Sequence, residues 1–339
     1  MKLFLKKVCV FALIFALAAF AVCYAIDPYN VYHPLHYREN GVEPNKNYIK
    51  MKYILSRPDR FDTFIFGSSR AGYLNPQKLD GVKAYNMTYS MGTPQEHRDN
   101  LKTFLKNGIV PKNIILEVDD ISYRMDPVPH REETIRCPYE YLTTHPLTFL
   151  KLYMCPVVAL ESLKISQYSD RNRTMEENFY ACGTTIEYGQ SREFAPGEQV
   201  DMSGPEYIDA AIEAVGEIAA LCADNGIKLY VFVSPLHHAT YTGALKRGDY
   251  YRFLRSLAEV TPFYNFSGYN DITRNDDCYL DYSHFRPEIG DRILDRIWNG
   301  EVDETLAKQG FGFYTDRDNI EQLIALLDKG KESFPTAED

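Results

Sequence analysis

Residues 8–26 form an unbroken apolar run behind Lys2, Lys6 and Lys7. A run of that length is close to the ~20 residues that a bilayer-spanning helix needs. Beyond it the pattern changes to short apolar stretches alternating with amphipathic ones. Stretches at 61–66, 82–87, 113–118, 227–233 and 262–266 read as five buried strands. Helical spacing occupies 48–55, stopped by Arg57-Pro58, and 206–225, closed by Gly226. It returns at 250–259, 287–298 and 320–327, and residues 289, 293, 294 and 297 put Ile, Ile, Leu and Ile on one face. The best-marked helix begins at Thr93, an N-cap, with Pro94 in its first turn and Glu96 closing a T-x-x-E capping box. Gly108 follows its end.

Strands alternating with helices imply a parallel sheet with right-handed crossovers. The expected class is α/β: a flavodoxin-like three-layer α/β/α sandwich on a five-stranded parallel sheet, preceded by one N-terminal transmembrane helix. Residues 1–26 are then an anchor or signal, and 27–60 an extended arm. Residues 61–300 are the α/β domain, and 301–339 a final helix and polar tail. A Tyr-, Arg- and Pro-rich insertion at about 120–205, with a helix near 147–163, reads as a cover over the strand tips. Ligands of such sheets bind beyond the carboxyl ends of the strands. Ser69, Gly92, Asp119, His237 and the Asp281-to-His284 segment all fall at such ends.

A formal charge of -10 with no basic patch excludes nucleic acid as a partner. The lysines before the apolar run place the N-terminus in the cytoplasm. The body is then expected outside an inner or plasma membrane, held by a single pass. Cys23-Tyr24-Ala25 loosely fits a signal-cleavage site and would give a secreted protein. The bulk of Tyr24 and the length of the run favour a retained anchor. The seven cysteines have neither zinc spacing nor that of a tight disulfide framework. A Cys137–Cys182 bridge is compatible with export, but spacing does not decide it.

Two segments carry chemistry. Phe64-Ile65-Phe66-Gly67-Ser68-Ser69-Arg70 reads as a strand entering a tight turn, and Tyr279-Leu280-Asp281-Tyr282-Ser283-His284 holds a D-x-x-H. A serine nucleophile needs a histidine to take its proton and a carboxylate to orient that histidine. Ser68 is the neighbouring alternative to Ser69, and Asp276 and Asp277 are alternatives to Asp281.

Together these segments resemble the SGNH/GDSL hydrolases over roughly residues 61–300. The G-S-S form is similar to a membrane-anchored branch that includes the D-alanyl transfer protein of teichoic acids and the alginate O-acetylation proteins. The resemblance implies Ser69 as nucleophile, His284 as base and Asp281 as acid. It also implies an oxyanion hole made by the Ser69 and Gly92 amides and a block III asparagine. Here Glu117-Val118-Asp119-Asp120 puts Asp119 in the asparagine's place. An ionised aspartate donates no hydrogen bond, so Asp119 is protonated, or another donor such as Asn86 serves, or the site does different work; paired with Arg70 or another cation, Asp119 would stay ionised and be structural.

Arg70 either holds an anionic substrate group or pairs with Asp120. His237 and His238 are read as substrate or packing contacts, because no acid or histidine stands at metal-ligand spacing; no metal and no cofactor are expected. The function implied is a serine esterase or O-acyltransferase acting on a cell-envelope glycan or polymer, with a membrane-bound acyltransferase as partner. The alternative is a non-catalytic envelope protein that binds glycan or a membrane partner.

Overall fold

The computed structural model describes residues 1–38, 40–165, 170–184, 193–195 and 205–333. Much of the second half of the expected insertion, and the polar tail, lie outside the described residues. The helices, in chain order, begin with α1 (Lys2–Ile26), α2 (Lys46–Leu55), α3 (Pro94–Lys106) and α4 (Asp120–Arg124). Then come α5 (Tyr139–Thr144), α6 (Pro146–Tyr153), α7 (Pro156–Ile165), α8 (Asp170–Cys182) and α9 (Ile208–Asp224). The last are α10 (His238–Lys246), α11 (Tyr250–Val260), α12 (Pro287–Leu294), α13 (Glu304–Ala307) and α14 (Ile320–Glu332). The strands are β1 (Thr63–Phe66), β2 (Ala84–Asn86), β3 (Asn113–Val118), β4 (Lys228–Val233), β5 (Phe263–Asn265) and β6 (Phe313–Thr315).

The chain divides into two compact units. One joins Met1–Ser56 with Pro129–Tyr180, the other Arg57–Val128 with Ala181–Asp339. The expected arm and much of the expected insertion therefore build one unit together. The C-terminal helix α14 belongs to the second unit, against α11 and β6.

The second unit carries a six-stranded sheet in the order β2-β1-β3-β4-β5-β6. The first five strands run parallel, and β6 lies antiparallel on β5. This corrects the expected five-stranded, all-parallel sheet. The sixth strand has only three residues, with Tyr314 exposed, too few to display a period.

Alternation along β1 sorts its side chains. Ile65 joins Ile115, Phe232 and the α12 residues Ile289 and Ile293 in one cluster. Phe64 turns to Phe104 of α3, with ring centres 4.8 Å apart, and Phe66 stacks on His97 of the same helix. Each such buried side chain contributes about 1.5–3 kcal/mol. The α3 start forms the expected capping box between Thr93 and Glu96.

In the first unit, Val31, Tyr37, Tyr48 and Ile49 pack with Leu142, Leu152, Tyr153 and Phe179. Asn45 caps α2 through the Tyr48 N–H and donates to the Cys137 carbonyl and the Tyr153 hydroxyl. α1 is long and apolar enough to cross a membrane. The helix expected at 147–163 is instead two, α6 and α7, bent by 47°. Pro156 is the reason, since it cannot donate to the preceding turn and instead opens α7. Cys137 and Cys182 are both free thiols, so the bridge between them is not made.

Candidate active site

The turn after β1 is dictated by lack of space. A Cβ on Gly67 would sit 2.5 Å from Glu117 Oε2, and one on Gly92 would sit 2.7 Å from the Gly67 carbonyl oxygen. Only glycine fits at either position. The Gly67 carbonyl lies 3.1 Å from His97 Nε2, which pins the turn to α3. Two residues on, Ser69 Oγ lies 2.9 Å from His284 Nε2. Ser68 points inward: its N–H donates to Glu117 Oε2 at 2.7 Å and its hydroxyl to Asp119 Oδ2 at 3.2 Å. Ser69, not Ser68, is the serine beside the histidine.

The D-x-x-H spacing works as a local turn. Asp281 Oδ1 accepts from the Ser283 and His284 N–H groups at 2.7 and 2.9 Å. The same carboxylate stands 2.9 Å from His284 Nδ1. A neutral His284 therefore carries its proton on Nδ1 and leaves Nε2 able to accept from Ser69. Burial pushes the Asp281 carboxyl up, but His284 and the two backbone donors outweigh it and hold the group below its ordinary value. A bridge between Tyr279 and Phe285 closes the loop, and the Tyr279 hydroxyl ties it to the Pro235 carbonyl beyond β4. Asp276 pairs with His237 instead, so it does not compete for His284.

Beneath this chain lies a buried charge cluster. Arg70 Nη1 meets Asp119 Oδ2 at 2.5 Å and Asp120 Oδ1 at 2.6 Å, and Arg70 Nε donates to the Ser283 carbonyl at 3.1 Å. Arg70 thus joins the serine turn, the end of β3 and the acid loop. It makes the pairing with Asp120 that was one of its two expected roles, and the bridge leaves it buried and not presented as a substrate anchor. Burial, then the neighbouring Asp119 charge and the hydrogen bond to it, push Glu117 well above the usual carboxylate range. Glu117 therefore favours its protonated form.

Asp119 faces Arg70 and Ser68, and its Oδ1 caps α4 through the Ser122 N–H. It is not aimed at an oxyanion. Asn86 is buried and donates to the Ala71 carbonyl, while its oxygen accepts from the Thr88 N–H, so it braces the turn. The Gly92 N–H donates to the Tyr89 carbonyl at 3.2 Å. Of the expected oxyanion donors, the Ser69 N–H is the one with no hydrogen-bond acceptor among the described residues.

His237 is almost fully buried, stacked on Phe194 and edge-on to Tyr279 and Tyr282. It supports the acid loop, which is the packing role of its two expected ones and leaves it sealed from substrate. The fold does supply the acid partner that spacing did not reveal: His237, His238 and Asp276 hold ligand atoms within 4.8 Å of one another. However, His237 Nδ1 accepts from the Ala239 N–H at 3.2 Å, so its proton is on Nε2 and is donated to Asp276. A metal would need that nitrogen bare and the other one donating. The His237–Asp276 pair is therefore a hydrogen-bonded support, with His238 Nε2 3.8 Å from the same carboxylate. The pairing of Asp276 with His237 had no sequence signal, because it joins segments far apart in the chain.

The chain matches no protein-family model and no curated protein.

Proposed function

We propose that this protein is a membrane-anchored, SGNH-like serine esterase or O-acyltransferase acting on a cell-envelope glycan or polymer. One observation carries the reading. Two segments more than two hundred residues apart converge into a Ser69–His284–Asp281 hydrogen-bond chain with both contacts at 2.9 Å. The fold is read as the flavodoxin-like sandwich of that superfamily, with β6 as an added edge.

Ser69 Oγ attacks the acyl carbonyl while His284 Nε2 takes its proton. Asp281 holds the imidazole and stabilises the imidazolium. The Ser69 amide donates to the oxyanion. His284 returns the proton to the departing alkoxide, leaving an ester on Ser69. Water or a sugar hydroxyl then takes the acyl group by the same steps in reverse. The lysine-flanked α1 argues for an extracytoplasmic body. Tethering there would favour transfer from a membrane-bound acyltransferase.

A non-catalytic, glycan-binding role is favoured by one feature: Asp119 and Gly92 are both committed elsewhere, so the oxyanion site has a single evident donor. Labelling with a fluorophosphonate probe separates the two. The enzyme reading expects labelling of the full-length protein that Ser69→Ala abolishes. No labelling of the folded wild type would leave the binding role.

A further inference from the structure

We propose that the α6–α7 helix pair is a second membrane-seated element, lying in the interface of the same bilayer that α1 is read to cross. The occupant of its exposed apolar face is lipid. The inference rests on α1 being a span, and the observations that carry it all lie within the first unit.

The pair is apolar enough to pass as one broken span, yet α6 has 8 residues and α7 has 10. At 1.5 Å per residue neither approaches the ~30 Å hydrocarbon thickness. Bent by 47°, the pair suits an interfacial or re-entrant seat and not a crossing. Its outer face exposes Leu147, Val157, Leu160 and Leu163, each by more than half. A patch of this kind on water is unusual without an interaction partner.

α7 packs against α1, whose own surface is exposed over nearly its whole length, so the apolar faces of the two helices adjoin in one unit. The α1 end of that contact is ringed by aromatics. Phe20 meets Tyr32, Tyr32 meets Phe149, and Phe149 meets Tyr153, with ring centres 5.1–5.9 Å apart. Aromatic rings concentrate where hydrocarbon gives way to headgroups. Lys151 pairs with Glu132 at 3.2 Å, and a long cationic chain can reach up to the headgroup level. The break at Met154 and Cys155 is half-buried in protein, as non-helical backbone at membrane depth requires.

The test exploits the single tryptophan. In full-length protein carrying Trp298→Phe, Leu160→Trp and Leu147→Trp are made separately, with Leu13→Trp as the anchor control and Val302→Trp as a water-exposed control. Each is reconstituted into vesicles of phosphatidylcholine and phosphatidylglycerol. The expected result is that lipids brominated near the headgroup quench Leu160→Trp and Leu147→Trp about twofold, as an interfacial depth requires. Chain-end bromines should quench Leu13→Trp more, and Val302→Trp should respond only to aqueous acrylamide.

If Leu13→Trp is quenched while both helix-pair tryptophans stay open to acrylamide, the membrane seat is refuted and the anchor stands. If both resist acrylamide and brominated lipid alike, protein covers the face and the lipid assignment falls. If Leu13→Trp is also unquenched, the anchor reading fails and the seat with it.

Discussion

Ser69 and Arg70 are neighbours in sequence, and each ties the turn after β1 to the acid loop, but by opposite physics. Ser69 reaches the His284 side chain in a half-exposed chain of groups, each able to hold or release a proton. Arg70 reaches the Ser283 carbonyl from a buried cluster, held by two aspartates. Charge at the edge of solvent can change during a reaction. Charge sealed inside cannot, because an unpaired ion there costs several kcal/mol. Under the proposed function, the exposed chain reacts and the buried cluster fixes its geometry.

The largest expected effect lies on the reactive side. Ser69→Ala should slow fluorophosphonate labelling by at least about 10³-fold while leaving the melting temperature nearly unchanged. Retained labelling would move the nucleophile elsewhere and end the comparison. On the other side, Arg70→Met should destabilise the fold by about 3–5 kcal/mol in denaturant titrations, because Asp119 and Asp120 would remain buried without their cation. Arg70→Lys should recover only part of this, since a single nitrogen cannot stand at both the Nη1 and the Nε positions from which Arg70 donates.

Asp119→Asn should cost less, about 1–3 kcal/mol, and leave the labelling rate little changed. A large loss of labelling in a folded Asp119→Asn protein would show that the buried cluster takes part in the chemistry.

Two pH effects of opposite sign follow. Asp281 is held below its ordinary value, so its contribution to stability is present above the unfolded carboxyl pKa and is lost as pH falls through the folded one. The stability gap between wild type and Asp281→Asn should therefore narrow in acid-unfolding curves. Glu117 is held above its ordinary 4.5, so its contribution is complete below that value and is lost as pH rises through the folded pKa. Glu117→Gln should gain stability relative to wild type at alkaline pH and differ little near pH 4. If the sign reverses, Glu117 is not held above its ordinary value.

Elements with a strong local signature were legible in the chain. The apolar α1, the T-x-x-E start of α3, the continuous run of β3 and the Asx-turn of D-x-x-H each need only neighbouring residues to form. β6 was not legible, because three residues become a strand only by pairing with β5. The α6–α7 bend was signalled by Pro156, but the residues on either side kept a helical spacing that masked it.

By itself, the sequence determined which short-range structures could form and which residue types were available for acyl chemistry. Tertiary structure set Ser69, and not Ser68, beside His284, bonded Arg70 to Asp119, sealed Glu117 among buried charges, and gave Asp276 to His237. The reason is distance along the chain: these pairings join segments separated by 39 to 215 residues, so no local period or motif records them.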